Sequence, residues 1–251
     1  MTQVQFYGHG LPAFQHMDFS GKLIVLEGPD GVGRSTQIAL LREWLEANGY
    51  AVSSSGLRRS MLAGKGIDEA KRGHTLGDLT MTLFYAADFA DRLERDIIPA
   101  LRAGFVVLTD RYIYSLIARA EVRGLDKEWV RRCMGFALVP DAIFYLRTDV
   151  EHLMPRVLTS RGFDYWESGM DFLGYSDYYT SFTVYQNKML AAFDRLGDEF
   201  GFYNIDATQS IHKVFVELCA GVANIVGEMK KPDELRSQGQ TASDEYMNIN
   251  A

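Results

Sequence analysis

Two cysteines in 251 residues, Cys133 and Cys219, are too few for a disulfide framework, and each lies inside an apolar helical pattern rather than a metal-ligand spacing. That scarcity fits a reducing cytoplasm. Basic residues are also in short supply. With 26 Lys and Arg against 33 Asp and Glu, the net charge of −7 gives no general attraction to nucleic acid or to an anionic membrane. Any affinity for phosphate must be local. No apolar run approaches the length that spans a bilayer, and no basic start followed by a long apolar stretch marks the N-terminus as a targeting segment. The five His show no metal-ligand spacing, and no Ser, His and Asp stand at triad positions, which speaks against zinc enzymes and triad hydrolases.

What the chain does have is alternation. Short apolar runs at residues 22–27, 51–53, 105–109, 142–146 and 202–205 predict strands, and amphipathic stretches between them predict helices. A long helical region is expected over 76–103, bent or ended by Pro99. Further helices are expected over 112–122, 127–138, 176–200 and 210–226, and Thr148 to Glu151 resembles a capping box that opens another. The pattern predicts an α/β fold, a parallel five-stranded sheet covered by helices on both faces, with ligands beyond the carboxyl ends of the strands. Residues 22–227 form this domain. Residues 1–21 read as an irregular extension lying on it, and 228–251 as a disordered tail.

The strand at 22–27 runs into Gly28-Pro29-Asp30-Gly31-Val32-Gly33-Arg34-Ser35, which has the spacing of a Walker A loop with Arg in place of the usual Lys. Such a loop turns backbone N–H groups at Gly31, Val32, Gly33 and Thr36 toward a phosphate, while the Ser35 hydroxyl suits Mg²⁺. Asp110-Arg111 follows the strand at 105–109, where a carboxylate can serve the metal and a guanidinium can grip phosphate in bidentate fashion.

The opening segment Leu26 to Gln37 resembles the start of the thymidylate kinase family. In the same order follow Phe84-Tyr85-Ala86-Ala87-Asp88, Ile98 to Leu101, Thr109-Asp110-Arg111-Tyr112, Pro140-Asp141, Tyr145-Leu146, Arg156, Arg161-Gly162 and Ile205 to Gln209. The resemblance covers about residues 22–226. It implies a P-loop NTPase three-layer αβα sandwich with a short lid at about 159–175, ATP as phosphoryl donor, Mg²⁺, a nucleoside monophosphate as acceptor and, by the family's habit, a homodimer. It further implies that Arg111 grips the acceptor phosphate with Arg58 or Arg59, and that Asp30 contacts the sugar or the reacting phosphate. Arg34 and Arg161 supply charge at the transferring group, Arg156 and Arg161 flank the lid, and Asp206 and Thr208 border adenine. Tyr85 stands where an aromatic ring stacks on the acceptor base.

The chain departs from the family at Arg34 for Lys, at Phe89 for an Arg that reads thymine, and at Leu116 and Arg119 for a small polar residue and a Tyr. It also departs at Tyr165 for a lid Arg. The base edge is thus expected to face Phe89 and Leu116, unless a shifted helix brings Arg92 to it. The expected reaction is ATP-dependent phosphorylation of a nucleoside 5′-monophosphate, dTMP to dTDP by resemblance. Two other readings stay open on the residues alone: a P-loop ATPase with water as acceptor, and a nucleotide-binding regulator, suggested by Arg34 and Tyr165 together.

Overall fold

The chain opens on a two-residue ladder in which β1 (Thr2–Gln3) pairs antiparallel with β2 (Asp18–Phe19). In this computed structural model residues 2–14, 17–57, 59–73 and 77–229 are described; Arg58 and residues 230–251 of the expected tail lie outside them. The extension is thus less irregular than its Gly, Pro and His content implies. Phe6 bridges Leu138, and Tyr7 donates its backbone N–H to Ala137 at 3.0 Å.

The order then runs β3 (Lys22–Glu27), α1 (Arg34–Ala47), β4 (Val52–Gly56), α2 (Gly64–Gly73) and α3 (Asp78–Arg92). It continues with α4 (Ile98–Arg102), β5 (Val106–Asp110), α5 (Ile113–Val122), α6 (Lys127–Cys133) and β6 (Ala142–Arg147). Last come α7 (Val150–Ser160), α8 (Tyr178–Phe200), β7 (Tyr203–Asp206) and α9 (Ile211–Val226). The five long strands form one parallel sheet in the order β4-β5-β3-β6-β7. One apolar cluster packs α3, α5 and α8 on one face, and a second packs α1, α7 and α9 on the other. That is the three-layer arrangement expected when strands such as Leu23–Leu26 and Val106–Leu108 carry apolar side chains toward both faces.

Register decides where the site lies. Leu26 of β3 and Gly56 of β4 both stand opposite Asp110 of β5, so the loops leaving these three strands start at one level. β4, the edge strand, continues through Ser53, Ser54 and Ser55 to Gly56, beyond the short run legible in the sequence. Pro99 neither ends nor breaks its helix. A π-helical turn, Leu93–Ile97, precedes it and links α3 to α4. This wider turn accommodates a residue that has no N–H and whose ring would strike the carbonyl four positions back. α7 is capped by Asp149 and not by Thr148: the carboxylate accepts the His152 N–H at 2.8 Å. α6 stops at Cys133, where Gly135 offers its carbonyl to the Gly10 N–H of the extension. Among the described residues no helix is long and apolar enough to cross a membrane.

Candidate active site

Gly28, Gly31 and Gly33 all hold positive φ, and Gly31 also lacks room for a side chain, since a Cβ would come within 2.7 Å of Val157. The loop they form ends at Gly33, where no side chain caps α1 and its first N–H groups stay open to an anion. Arg34 begins the helix and is buried. Its Nε donates to Asp110 at 2.6 Å, and its Nη1 donates to the carbonyls of Gly28 at 2.6 Å and Pro29 at 2.5 Å. Burial disfavours this cation, but Asp110 and Asp30 outweigh that and keep it charged. The neighbouring Ser35 hydroxyl donates to the other Asp110 oxygen at 3.1 Å.

Arg111 is the one described non-glycine residue with positive φ, at 70°. Glu27 makes that backbone turn tenable, because its buried carboxylate accepts the N–H groups of Tyr112 and Ser115 and the Ser115 hydroxyl at 2.8, 3.2 and 2.6 Å. Ser115 accepts from Arg111 Nη1 at 2.6 Å, and Arg111 Nη2 donates to Asp30 at 2.6 Å. Burial pushes the Glu27 carboxyl up, and Arg111 opposes it. Asp30 behaves in the opposite way. Burial raises it, yet Arg111, Arg119, Arg34 and Arg161 together hold it well below the usual carboxylate range. Arg119 reaches it at 3.2 Å and Arg161 at 4.0 Å, and Arg161 also pairs with Glu167. Burial and the nearby Asp30 raise Glu167, against Arg161.

Two clefts meet at this cluster and share Asp30, Arg34, Ser35 and Arg161. One follows the glycine loop through Gly31, Val32, Gly33 and Thr36 to Arg156, Gln209 and Ile211. The other holds Arg59, Asp110, Arg111, Arg119 and Tyr85 and continues into an apolar recess walled by Met81, Leu116, Ala120 and Tyr185. The segment after α7, expected as a lid, is packed in turns beside the acceptor cleft and the recess: the Trp166 indole donates to the Lys71 carbonyl at 2.9 Å, and the Glu167 carbonyl accepts from Gln186 at 2.8 Å.

Not every expected residue arrives. Phe89 does not line the recess; it is fully buried in the core, edge-on to Tyr112 at 4.8 Å and stacked on Phe136 at 5.5 Å. Arg92 does not reach it either, being paired in the interior with Asp88 at 3.0 Å. Asp206 accepts the Thr208 N–H and hydroxyl at 3.0 and 2.7 Å, and it is the adjacent Ala207 and Gln209 that line the first cleft. Tyr165 packs edge-on against Trp166 at 5.8 Å. Arg58 lies outside the described residues.

Sequence reasoning passed over Arg123. Its fork donates to Asp171 at 3.1 Å, to the Tyr185 hydroxyl at 2.9 Å and to the Trp166 carbonyl at 3.0 Å, tying α5 to the lid and to α8 at the end of the recess. Glu27 stood in the sequence as part of the opening motif, with no role given to it. For a metal, Ser35 and Asp110 bring oxygen donors together beside the phosphate loop, the hard ligands that Mg²⁺ takes. Among the described residues no group of three or more His, Cys, Asp or Glu could hold a metal, so such an ion would lean on phosphate oxygens and water.

Comparison with known proteins gives the chain's relatives. The family model described as thymidylate kinase matches residues 26–217. A probable thymidylate kinase 2 of Saccharolobus solfataricus is 36% identical over 210 residues, covering 83% of this chain and 96% of that protein. A probable thymidylate kinase of Thermococcus kodakarensis is 42% identical over 147 residues, 53% of this chain and 70% of its own length. A thymidylate kinase of Clavibacter sepedonicus is 42% identical over 137 residues, 52% and 64% of the two chains.

Proposed function

The chain belongs to the thymidylate kinase family, and we propose that its two clefts hold ATP and dTMP with their phosphates meeting at Asp30, Arg34 and Arg161. It is a nucleoside monophosphate kinase that transfers the γ-phosphoryl group of ATP to a monophosphate, giving dTDP from dTMP. The observation that carries the assignment of sites is the shared wall. A water-activating ATPase needs one phosphate cleft, whereas here a second, arginine-lined cleft opens from the same loop and ends in a recess shaped for a base.

In this reading the glycine loop and Arg156 hold ATP, and Arg111 with Arg59 holds the acceptor phosphate. An acceptor monoester has its second pKa near ~6, so its oxygen is already ionised at neutral pH and needs no general base. Asp30, held as a carboxylate, orients Arg111 and Arg119 and does not take a proton. Arg34 and Arg161 stand where negative charge spreads over the transferring group, the electrostatic term on which this chemistry rests. Ser35 and Asp110 would hold Mg²⁺, which when bound neutralises phosphate charge. The reading includes a cytoplasmic enzyme, in keeping with the free thiols of Cys133 and Cys219. It also includes a homodimer, for which the exposed Leu79 and Leu83 of α3 offer an apolar face.

Substrate omission tests this assignment. ADP should form only when dTMP is present; release of phosphate from ATP at the same rate without any acceptor would overturn it.

A further inference from the structure

The chemistry above makes no use of one buried ion pair on α3. Asp88 and Arg92 form an ion pair with both side chains wholly inaccessible, on the side of α3 that faces β4. Burying such a pair is costly in desolvation, and losing one partner would strand the charge of the other, so its hydrogen bonds to other elements show what it serves. Arg92 Nη1 donates to Ser55 of β4 at 3.0 Å, and the second Asp88 oxygen accepts the backbone N–H of Ser60 at 3.0 Å. One turn along α3, Asp91 accepts the Ser60 hydroxyl at 2.6 Å.

Ser60 is therefore pinned from every side. Besides these two bonds to α3, its Oγ accepts the N–H groups of Leu62 and Ala63, each at 3.1 Å, and its carbonyl accepts from Gly64 at 3.1 Å, where α2 begins. The residue is buried, touches neither cleft and carries no charge. Its chain neighbour is Arg59, which is exposed, lines the acceptor cleft and lies back against Gly56, where an added Cβ would come within 3.1 Å of the Arg59 Nε.

We infer that Ser60 is a positioning residue: clamped on α3 by Asp88 and Asp91, it sets the backbone from which Arg59 reaches the acceptor phosphate. This rests on the reading that Arg59 binds that phosphate. A flexible arginine loses side-chain entropy when it closes on a phosphate, and a fixed backbone at the next residue spares it the further cost of ordering the main chain from which it reaches. The Ser60 N–H survives in Ser60→Ala, and Asp91 keeps its ion pair with Arg95 at 2.8 Å, so this variant leaves no uncompensated carboxylate.

Steady-state kinetics with ATP and dTMP test the inference in Ser60→Ala, Ser60→Thr, Gly56→Ala, Arg59→Ala and the Arg59→Ala/Ser60→Ala double variant. Ser60→Ala should raise the dTMP KM about tenfold, in the range of one lost hydrogen bond to a charged group, with kcat and the ATP KM within about twofold of wild type. Ser60→Thr, which keeps the hydroxyl, should restore the KM. Gly56→Ala, whose Cβ would press on Arg59 at 3.1 Å and on the Asp110 carbonyl at 3.2 Å without touching Ser60, should also raise the dTMP KM, with any accompanying loss of kcat assigned to Asp110. On an Arg59→Ala background, Ser60→Ala should change the dTMP KM by less than about twofold, since residues that act as one unit are not additive. Additive effects, or a Ser60→Ala loss confined to kcat and the ATP KM, would overturn the positioning role. A dTMP KM unmoved by Arg59→Ala would instead overturn the assignment of Arg59 itself, and the inference with it.

Discussion

Arg34 Nε lies 2.6 Å from Asp110 Oδ1, joining the residue that opens α1 to the last residue of β5. The sequence suggests a cation turned to phosphate and away from the core. The guanidinium does line both clefts, but it is also buried, with Nη1 on the carbonyls of Gly28 and Pro29. Arg34→Ala should therefore lower turnover at least about a hundredfold and also lower the melting temperature, because it leaves Asp110 short of a partner. Arg34→Lys should recover little, since one ammonium cannot keep the contacts of a fork. Wild-type turnover in the lysine variant would show that only the charge matters.

Asp110 and Arg111 are adjacent and line the same cleft, but Asp110 is bonded to Arg34 and Ser35 of the phosphate loop whereas Arg111 is bonded to Asp30 and Ser115, so their variants should separate kinetically. Arg111→Ala is expected to raise the dTMP KM by more than about tenfold, as the guanidinium bridging Asp30 and Ser115 is lost from the acceptor side. Asp110→Asn is expected to lower kcat and shift the Mg²⁺ requirement upward. Initial rates over a grid of dTMP and Mg²⁺ concentrations measure both, and identical profiles for the two variants would place the site wrongly.

Base selection should be weak. The recess offers Tyr85, Met81 and Leu116 to a base, Phe89 is in the core, and the other polar groups of the lining already have partners: Arg123 on Asp171, Tyr185 and Trp166, the Thr82 hydroxyl on the Asp78 carbonyl, Arg119 on Asp30, Glu167 on Arg161 and Lys71 on Asp164. Apolar contacts alone discriminate by about 10- to 200-fold. Equimolar dTMP, dUMP, dCMP, UMP and CMP competing for limiting ATP should yield a dTMP preference inside that range. A preference above roughly a thousandfold would mean that a buried donor reads the base after all.

Acid should expose the arginine cluster. Asp30 and Asp110 both titrate below the ordinary 3.8 in the folded protein, held down against burial chiefly by Arg111 and by Arg34 respectively. Between the folded and unfolded values the unfolded chain binds more protons, so their stabilisation is complete above pH 3.8 and lost as pH falls through the folded values. Asp30→Asn should flatten this acid limb in urea melts taken from pH 5 downward. An unchanged slope would show that the arginines do not act on Asp30.

What the sequence disclosed and what it hid divide along a physical line. The glycine loop and Asp110-Arg111 are contiguous motifs at strand or helix ends, Arg156 and Arg161 lie close together in sequence on and just after α7, and the parallel sheet follows from apolar runs of strand length. Glu27, Ser115, Arg123 and Ser60 were not legible as parts of the site, because each acts through a partner 28 or more positions away, as in Ser60 with Asp88 and Ser115 with Glu27. The position of Phe89 failed for a related reason. Alignment along α3 gives a residue its place on the helix, but the rings of Tyr112 and Phe136 decide which side of the helix is interior.

The central claim is that phosphoryl transfer takes place across the wall of Asp30, Arg34 and Arg161 that joins the two clefts. Its most direct test is a single turnover with γ-labelled ATP, enzyme in excess and dTMP present. The account predicts that the label appears in dTDP in equal amount to the ADP formed. Label released as inorganic phosphate with no labelled dTDP would contradict it.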